Sequence, residues 1–225
     1  EAESEALALS LKVSFWAVLV SLPLAVAMAW VLARKRFPGK ALLSALVHLP
    51  LVLPPVVVGY ALLVLFGRNG ALGAPLHDWF GVTIAFTWQG AAVAAAVMGF
   101  PLMVRAIRLS LETMDRGLEE AARTLGAGRV AVFRTVTLPL IAPGVLTGVI
   151  LAFARSLGEF GATITFVSNI PGETRTLPIA LYTYTQVPGG DAQALRLAAI
   201  AVVLALAALL GSEILARRMR AHLGN

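Results

Sequence analysis

Cysteine is absent from the 225 residues, which removes disulfides, thiolate metal sites and a cysteine nucleophile from consideration. Charge is scarce: 13% of residues are Asp, Glu, Lys or Arg, against roughly 25% in soluble domains. Three histidines are present, His48, His77 and His222. None stands in a His-Glu-x-x-His or comparable ligand spacing, so they read as interfacial residues and no metal site is expected. Gly-x-Ser-x-Gly and paired intramembrane aspartates are also missing, which disfavours a membrane-embedded hydrolase. No Gly-x-x-x-x-Gly-Lys-Ser/Thr loop occurs; the nearest stretch, FPGKA at 37–41, lacks the first glycine and the hydroxyl.

What the chain has instead is apolar length. It is 59% hydrophobic, and a helix needs about 20 mostly apolar residues to cross a hydrocarbon core of about 30 Å. Runs at 13–33, 42–66, 82–104, 143–168 and 197–216 meet that length. They predict an all-α membrane protein of five spans in a single domain, 1–225. The first run is too long for a signal peptide, and an acidic EAESEA precedes it where a basic region belongs. Lys and Arg fall unevenly between the spans. Thirteen lie on one side (Arg34, Lys35, Arg36, Lys40, Arg105, Arg108, Arg116, Arg123, Arg129, Arg134, Arg217, Arg218, Arg220), and four (Lys12, Arg68, Arg175, Arg196) lie on the other. Basic loops stay cytoplasmic, so the N-terminus is expected outside and the C-terminus inside. The net charge of +6 then reflects topology, and no nucleic-acid partner is implied.

Two segments between spans are long enough to suggest function, an inner one at 105–142 and an outer one at 169–196. Within the inner one, Leu111, Met114, Leu118, Ala121 and Leu125 follow helical spacing and predict an amphipathic helix. Gly126 and Gly128 punctuate it, and Val130, Val132, Phe133 and Val136 begin a second stretch. Confinement between membrane spans argues against a DNA-binding helix-turn-helix. A helix lying on the membrane surface and a docking element for a cytoplasmic partner remain open. Pro54 and Pro55 inside the second run, and Pro101 in the third, each remove a backbone donor and predict bends.

EAARTLG at 120–126 followed by TVTLP at 135–139 resembles the EAA loop of permease subunits of bacterial ATP-binding-cassette importers. The matching positions are Glu120, Ala121, Ala122, Gly126, Val136, Leu138 and Pro139, with Val136 where isoleucine is usual. RKRFPGK at 34–40, LPLVLPP at 49–55, EFGAT at 159–163 and IPGETRTLP at 170–178 extend the resemblance over nearly the whole chain, toward the molybdate permeases. Sulfate and thiosulfate permeases are the alternative. The resemblance implies a type I importer permease fold in the bacterial inner membrane, translocating molybdate and tungstate by alternating access. It implies a homodimer in the lipid bilayer, with a coupling segment seated on cytoplasmic ATPase subunits and an outer face that receives an external oxyanion-binding protein. No cofactor is expected on this chain, with ATP and Mg on the ATPase partner, and Arg175 is a plausible contact for the binding protein. An ATP-independent carrier is disfavoured by the motif and by the lack of an inverted repeat.

Arg155 and Glu159 stand inside the fourth run. A charge at membrane depth costs a few kcal/mol, so both are functional candidates. On a helix from Pro143 they lie about 18 and 24 Å along it and share a face, and Gly158 and Gly161 flank Glu159, so the helix can bend there. They pair to lower the cost of burial, or Arg155 lines an anion path and Glu159 tempers it, with Pro54 and Pro55 as a further path or gate element. A place in an outer gate or dimer interface is the third reading.

Overall fold

The computed structural model describes residues 2–223, except for the side chains of 212, 213 and 215–223. Arg217, Arg218, Arg220 and His222 therefore lie outside the described side chains. Helix α1, Ala2–Arg34, carries Glu3 and Glu5 in its first turn and Arg34 in its last, where each sign suits the helix dipole. This extends the helix well upstream of the apolar run at 13–33. One stripe of α1, including Ser10, Ser14, Ala17, Ser21, Ala25 and Ala29, is buried. It packs on α5, Trp88–Thr113, whose buried face is also rich in small residues: Gly90, Ala91, Ala94, Ala95 and Gly99. In lipid such surfaces gain from close backbone approach. The opposite side of α1 exposes Phe15, Trp16, Leu19, Val20 and Leu24, as a lipid-facing side should.

The second run is a broken element. Helix α2, Lys40–His48, continues through a 3₁₀ turn to Leu51, and α3, Pro55–Phe66, leaves at 108° to it. Pro54 is extended at ψ 132° and Pro55 occupies the first turn of α3, so the two prolines end one helix and start the next. A short α4, Gly73–Phe80, precedes α5. The third run, expected at 82–104, becomes a helix only at Trp88, where the Thr87 hydroxyl accepts from Gly90 N at 3.2 Å. It continues through Pro101 to Thr113.

The single amphipathic helix expected over Leu111–Leu125 is divided in two. Met114 is extended, and Asp115 Oδ1 accepts from Gly117 N at 2.8 Å, a local turn that outcompetes the helix. A separate α6, Gly117–Thr124, follows, then α7, Arg129–Val132, a π-helical turn Phe133–Thr137, and α8, Leu138–Leu157. The one helix expected over 143–168 does more than bend: α8 stops at Leu157, and α9, Gly161–Val167, starts anew. The outer segment holds α10, Leu177–Thr185, and α11, Asp191–Leu223, completes the chain. Among the described residues four helices are long and apolar enough to span, against the five expected, and the count reaches five if the bent α2–α3 pair is one broken span rather than a re-entrant loop.

Candidate functional site

The inner segment projects an exposed apex from a buried root. Glu120 and Ala121 are exposed, Ala122 is partly buried, and Glu120 makes no ion pair among the described residues. Gly126 turns the chain at φ +88°, a conformation that costs side chains other than glycine about 1–2 kcal/mol. Beside it, Leu125 is 88% exposed and Val130 is 71% exposed. Val136 is partly buried at the root, while Leu138 and Pro139 are exposed at the start of α8. The apolar groups of this segment therefore face outward around the glycine turn.

The root is held by Glu119. Its Oε1 accepts from Arg34 Nη2 at 3.1 Å and from Thr137 Oγ1 at 2.7 Å. The Arg34 and Glu119 side chains are 9% and 6% exposed, and Thr137 is fully buried. Arg34 also lies over the Trp30 ring, 5.5 Å from its centroid, and Trp30 meets Phe133 edge-on at 5.7 Å. One carboxylate thus ties α6 to the end of α1 and to the π turn that opens α8. Single π turns of this kind are frequent at functional positions.

The second constellation lies where two spans are broken. Arg155, in the last turn of α8, forms an ion pair with Glu159 across the break. The other Glu159 oxygen accepts from Ala162 N at 2.9 Å, capping the first turn of α9. Arg155 sits at the negative end of one helix dipole and Glu159 at the positive end of the next. Glu159 thereby answers one of the backbone donors that the break frees. Glu159 is 2% exposed on its side chain, whereas Arg155 is 28% exposed. The break in the second span abuts this one. A Cβ on Gly161 would lie 2.8 Å from Pro55 Cβ, and one on Gly59 would lie 2.5 Å from Ala162 O, so α3 and α9 meet backbone to backbone. The structure therefore brings Pro55 beside α9 and the Arg155–Glu159 pair, with the exposed Pro54 preceding it in the chain.

The outer segment folds into a tight turn and is tied to the bundle. Ile170 O accepts from the backbone of Glu173, Thr174 and Arg175, and the Thr174 hydroxyl is fully buried in the turn. Glu173 Oε1 accepts from Trp88 N at 3.1 Å at the start of α5. Arg175 is partly buried and donates from Nε to Asn169 Oδ1 at 2.7 Å. No cluster of His, Asp or Glu able to hold a metal occurs among the described residues.

Comparisons with known proteins agree with this architecture. The chain is 65% identical to the molybdenum transport system permease protein ModB of Escherichia coli K12, covering 99% of this chain and 97% of that protein. It is 45% identical to the sulfate transport system permease protein CysT of Salmonella typhimurium, over 71% of this chain and 57% of that one. Among solved structures, a bacterial ABC transporter for the acidic polysaccharide alginate superposes with a TM-score of 0.75 at 19% identity, covering 97% of this chain and 80% of that one. A bacterial alginate ABC transporter in complex with an alginate pentasaccharide-bound periplasmic protein gives 0.74 at 18% identity, covering 96% and 78%. Residues 21–221 match the family described as the binding-protein-dependent transport system inner membrane component. With that match and the relatives' identity over almost its whole length, the chain belongs to this family of importer permeases of the inner membrane.

Proposed function

We propose that this chain is the membrane subunit of an ATP-driven importer for molybdate and tungstate. It acts as a homodimer with two cytoplasmic ATPase subunits and an external oxyanion-binding protein, its N-terminus outside and its C-terminus in the cytoplasm. The observation that carries this is the apex over 120–130, with Glu120 and Ala121 exposed, Leu125 and Val130 as exposed apolar groups, and a root on a buried ion pair. Exposed apolar groups gathered on one short segment, rather than scattered singly, mark an interaction surface, and Leu118 on the same segment is exposed as well. A partner groove would cover them, with Ala121 and Ala122 permitting close approach and Glu120 meeting a basic group or backbone donor. Closure of the ATPase pair on ATP and Mg would move this apex, and the root would pass the motion to α1 and α8.

At the paired breaks, Arg155 presents a partly exposed guanidinium whose charge Glu159 already tempers. A dianion would be drawn there without being trapped, and Pro54 and Pro55 would form the opposing wall. Arg175, held by Asn169 on the outer turn, would meet the binding protein. The greater identity and coverage of the molybdenum permease over the sulfate permease support molybdate as cargo. The test is ATP-dependent uptake by the whole complex in proteoliposomes, with molybdate, tungstate and sulfate in competition. Competition by tungstate and not by sulfate is expected. Equal competition by sulfate overturns the cargo assignment, and uptake without ATP overturns the class.

A further inference from the structure

A cavity of about 500 Å³ opens between α2 and the last turns of α5, lined by Ser44, Ala45, His48, Arg105, Arg108, Leu109 and Glu112. We propose that it is a binding site for a tetrahedral oxyanion, supplied either as the phosphate of an anionic lipid headgroup or as a free anion. Arg105 and Arg108 are three apart and share a helix face. The Arg108 guanidinium is fixed in place: Nε donates to Glu112 Oε1 at 2.8 Å and Nη1 to Ser44 Oγ at 3.5 Å. Arg105 is exposed and has no acidic partner among the described residues. Two guanidinium charges therefore face one carboxylate in a concave wall, and one positive charge is left unbalanced there.

Guanidinium forks suit phosphate-like oxyanions because two parallel donors match two oxygens. His48 forms a wall: its Nδ1 donates to Ser44 O at 2.7 Å and is thereby taken up within α2. Ala45 and Leu109 make the rest of the lining apolar, and Leu109 is 62% exposed, which gives an acyl chain a surface beside the headgroup. The depth fits as well. Arg105 lies about 26 Å along α5 from Trp88, close to the thickness of the hydrocarbon core. Basic pockets between helices at that level hold anionic headgroups. Topogenic arginines alone need no such placement, since the positive-inside rule counts charges and takes no account of cavities.

The site is independent of which cargo the importer carries. The test uses the purified complete transporter and its Arg105→Gln, Arg105→Lys and Arg108→Gln variants. Thermal stabilisation is titrated with phosphatidylglycerol against phosphatidylcholine vesicles, and with sodium phosphate or molybdate against chloride at equal ionic strength. Stabilisation of the wild type by phosphatidylglycerol alone assigns the lipid source, and by the free oxyanions assigns the free source. In either case Arg105→Gln weakens the apparent affinity roughly tenfold or more, and Arg105→Lys loses less. Arg105 is exposed and makes no ion pair, so Arg105→Gln keeps the ligand-free melting point. Equal stabilisation of wild type and Arg105→Gln, or stabilisation matched by phosphatidylcholine and chloride, overturns the proposal.

Discussion

Replacing Glu119 by alanine separates the root of the inner segment from its apex more cleanly than any other change. The substitution deletes the acceptor for Arg34 and Thr137. It leaves the Arg34 side chain 9% exposed and without its carboxylate, and Arg34 Nε already lacks a partner. Removing one member of a buried pair costs about 3–5 kcal/mol, a large share of a typical stability of about 5–15 kcal/mol. The cost falls on one edge of the bundle, so the expected outcome is release of α6 and α7 with the spans intact. Glu120→Ala, at the neighbouring exposed position, should stay within about 0.5 kcal/mol of wild type. Limited trypsin digestion reads the difference, because Arg116, Arg123, Arg129 and Arg134 lie in the segment. Cleavage there should accelerate at least tenfold in Glu119→Ala and not change in Glu120→Ala. Both variants should lose coupled uptake, one through a displaced apex and the other through a lost contact. The double change Arg34→Met with Glu119→Leu, which replaces the pair by apolar groups, should restore most of the protease resistance. Equal digestion of the Glu119 and Glu120 variants would refute the root.

Gly126→Val should cost about 1–2 kcal/mol at the turn and abolish capture of the ATPase subunit in pull-down, with an unchanged melting point for the spans. Gly161→Leu forces α9 off Pro55 and should lower stability by about 1–3 kcal/mol, read as a lower melting temperature of the purified complex. Arg155→Ala leaves Glu159 buried without its cation, so the amount of folded protein should fall and uptake per folded transporter should also fall. Arg155→Lys should recover the first more than the second, and wild-type uptake by Arg155→Ala would remove the residue from the path.

The run lengths dictated an all-α membrane protein, because in lipid only helices and closed barrels satisfy their own backbone, and barrel strands are about 9–11 residues of alternating polarity rather than runs of about 20 apolar residues. The double proline announced the break between α2 and α3, since Pro54 and Pro55 cannot continue a helix. Gly126 announced the turn after α6. Gly158 and Gly161 announced that the fourth span can bend, but not that the helix stops: the run through 143–168 stays apolar, and the break at Gly158–Phe160 is stabilised by Glu159 bonding both forward to Ala162 and back to Arg155. Nor did the sequence distinguish Glu119 from Glu120. Both are acids on a short amphipathic helix, and the partners that bury Glu119 lie 85 and 18 residues away. Local pattern therefore determined the elements, their solvent and their turns, since those depend on neighbours in the chain. The tertiary structure decided which charges are structural anchors and which are left to meet a partner, because burial and pairing depend on what distant segments bring to the same place.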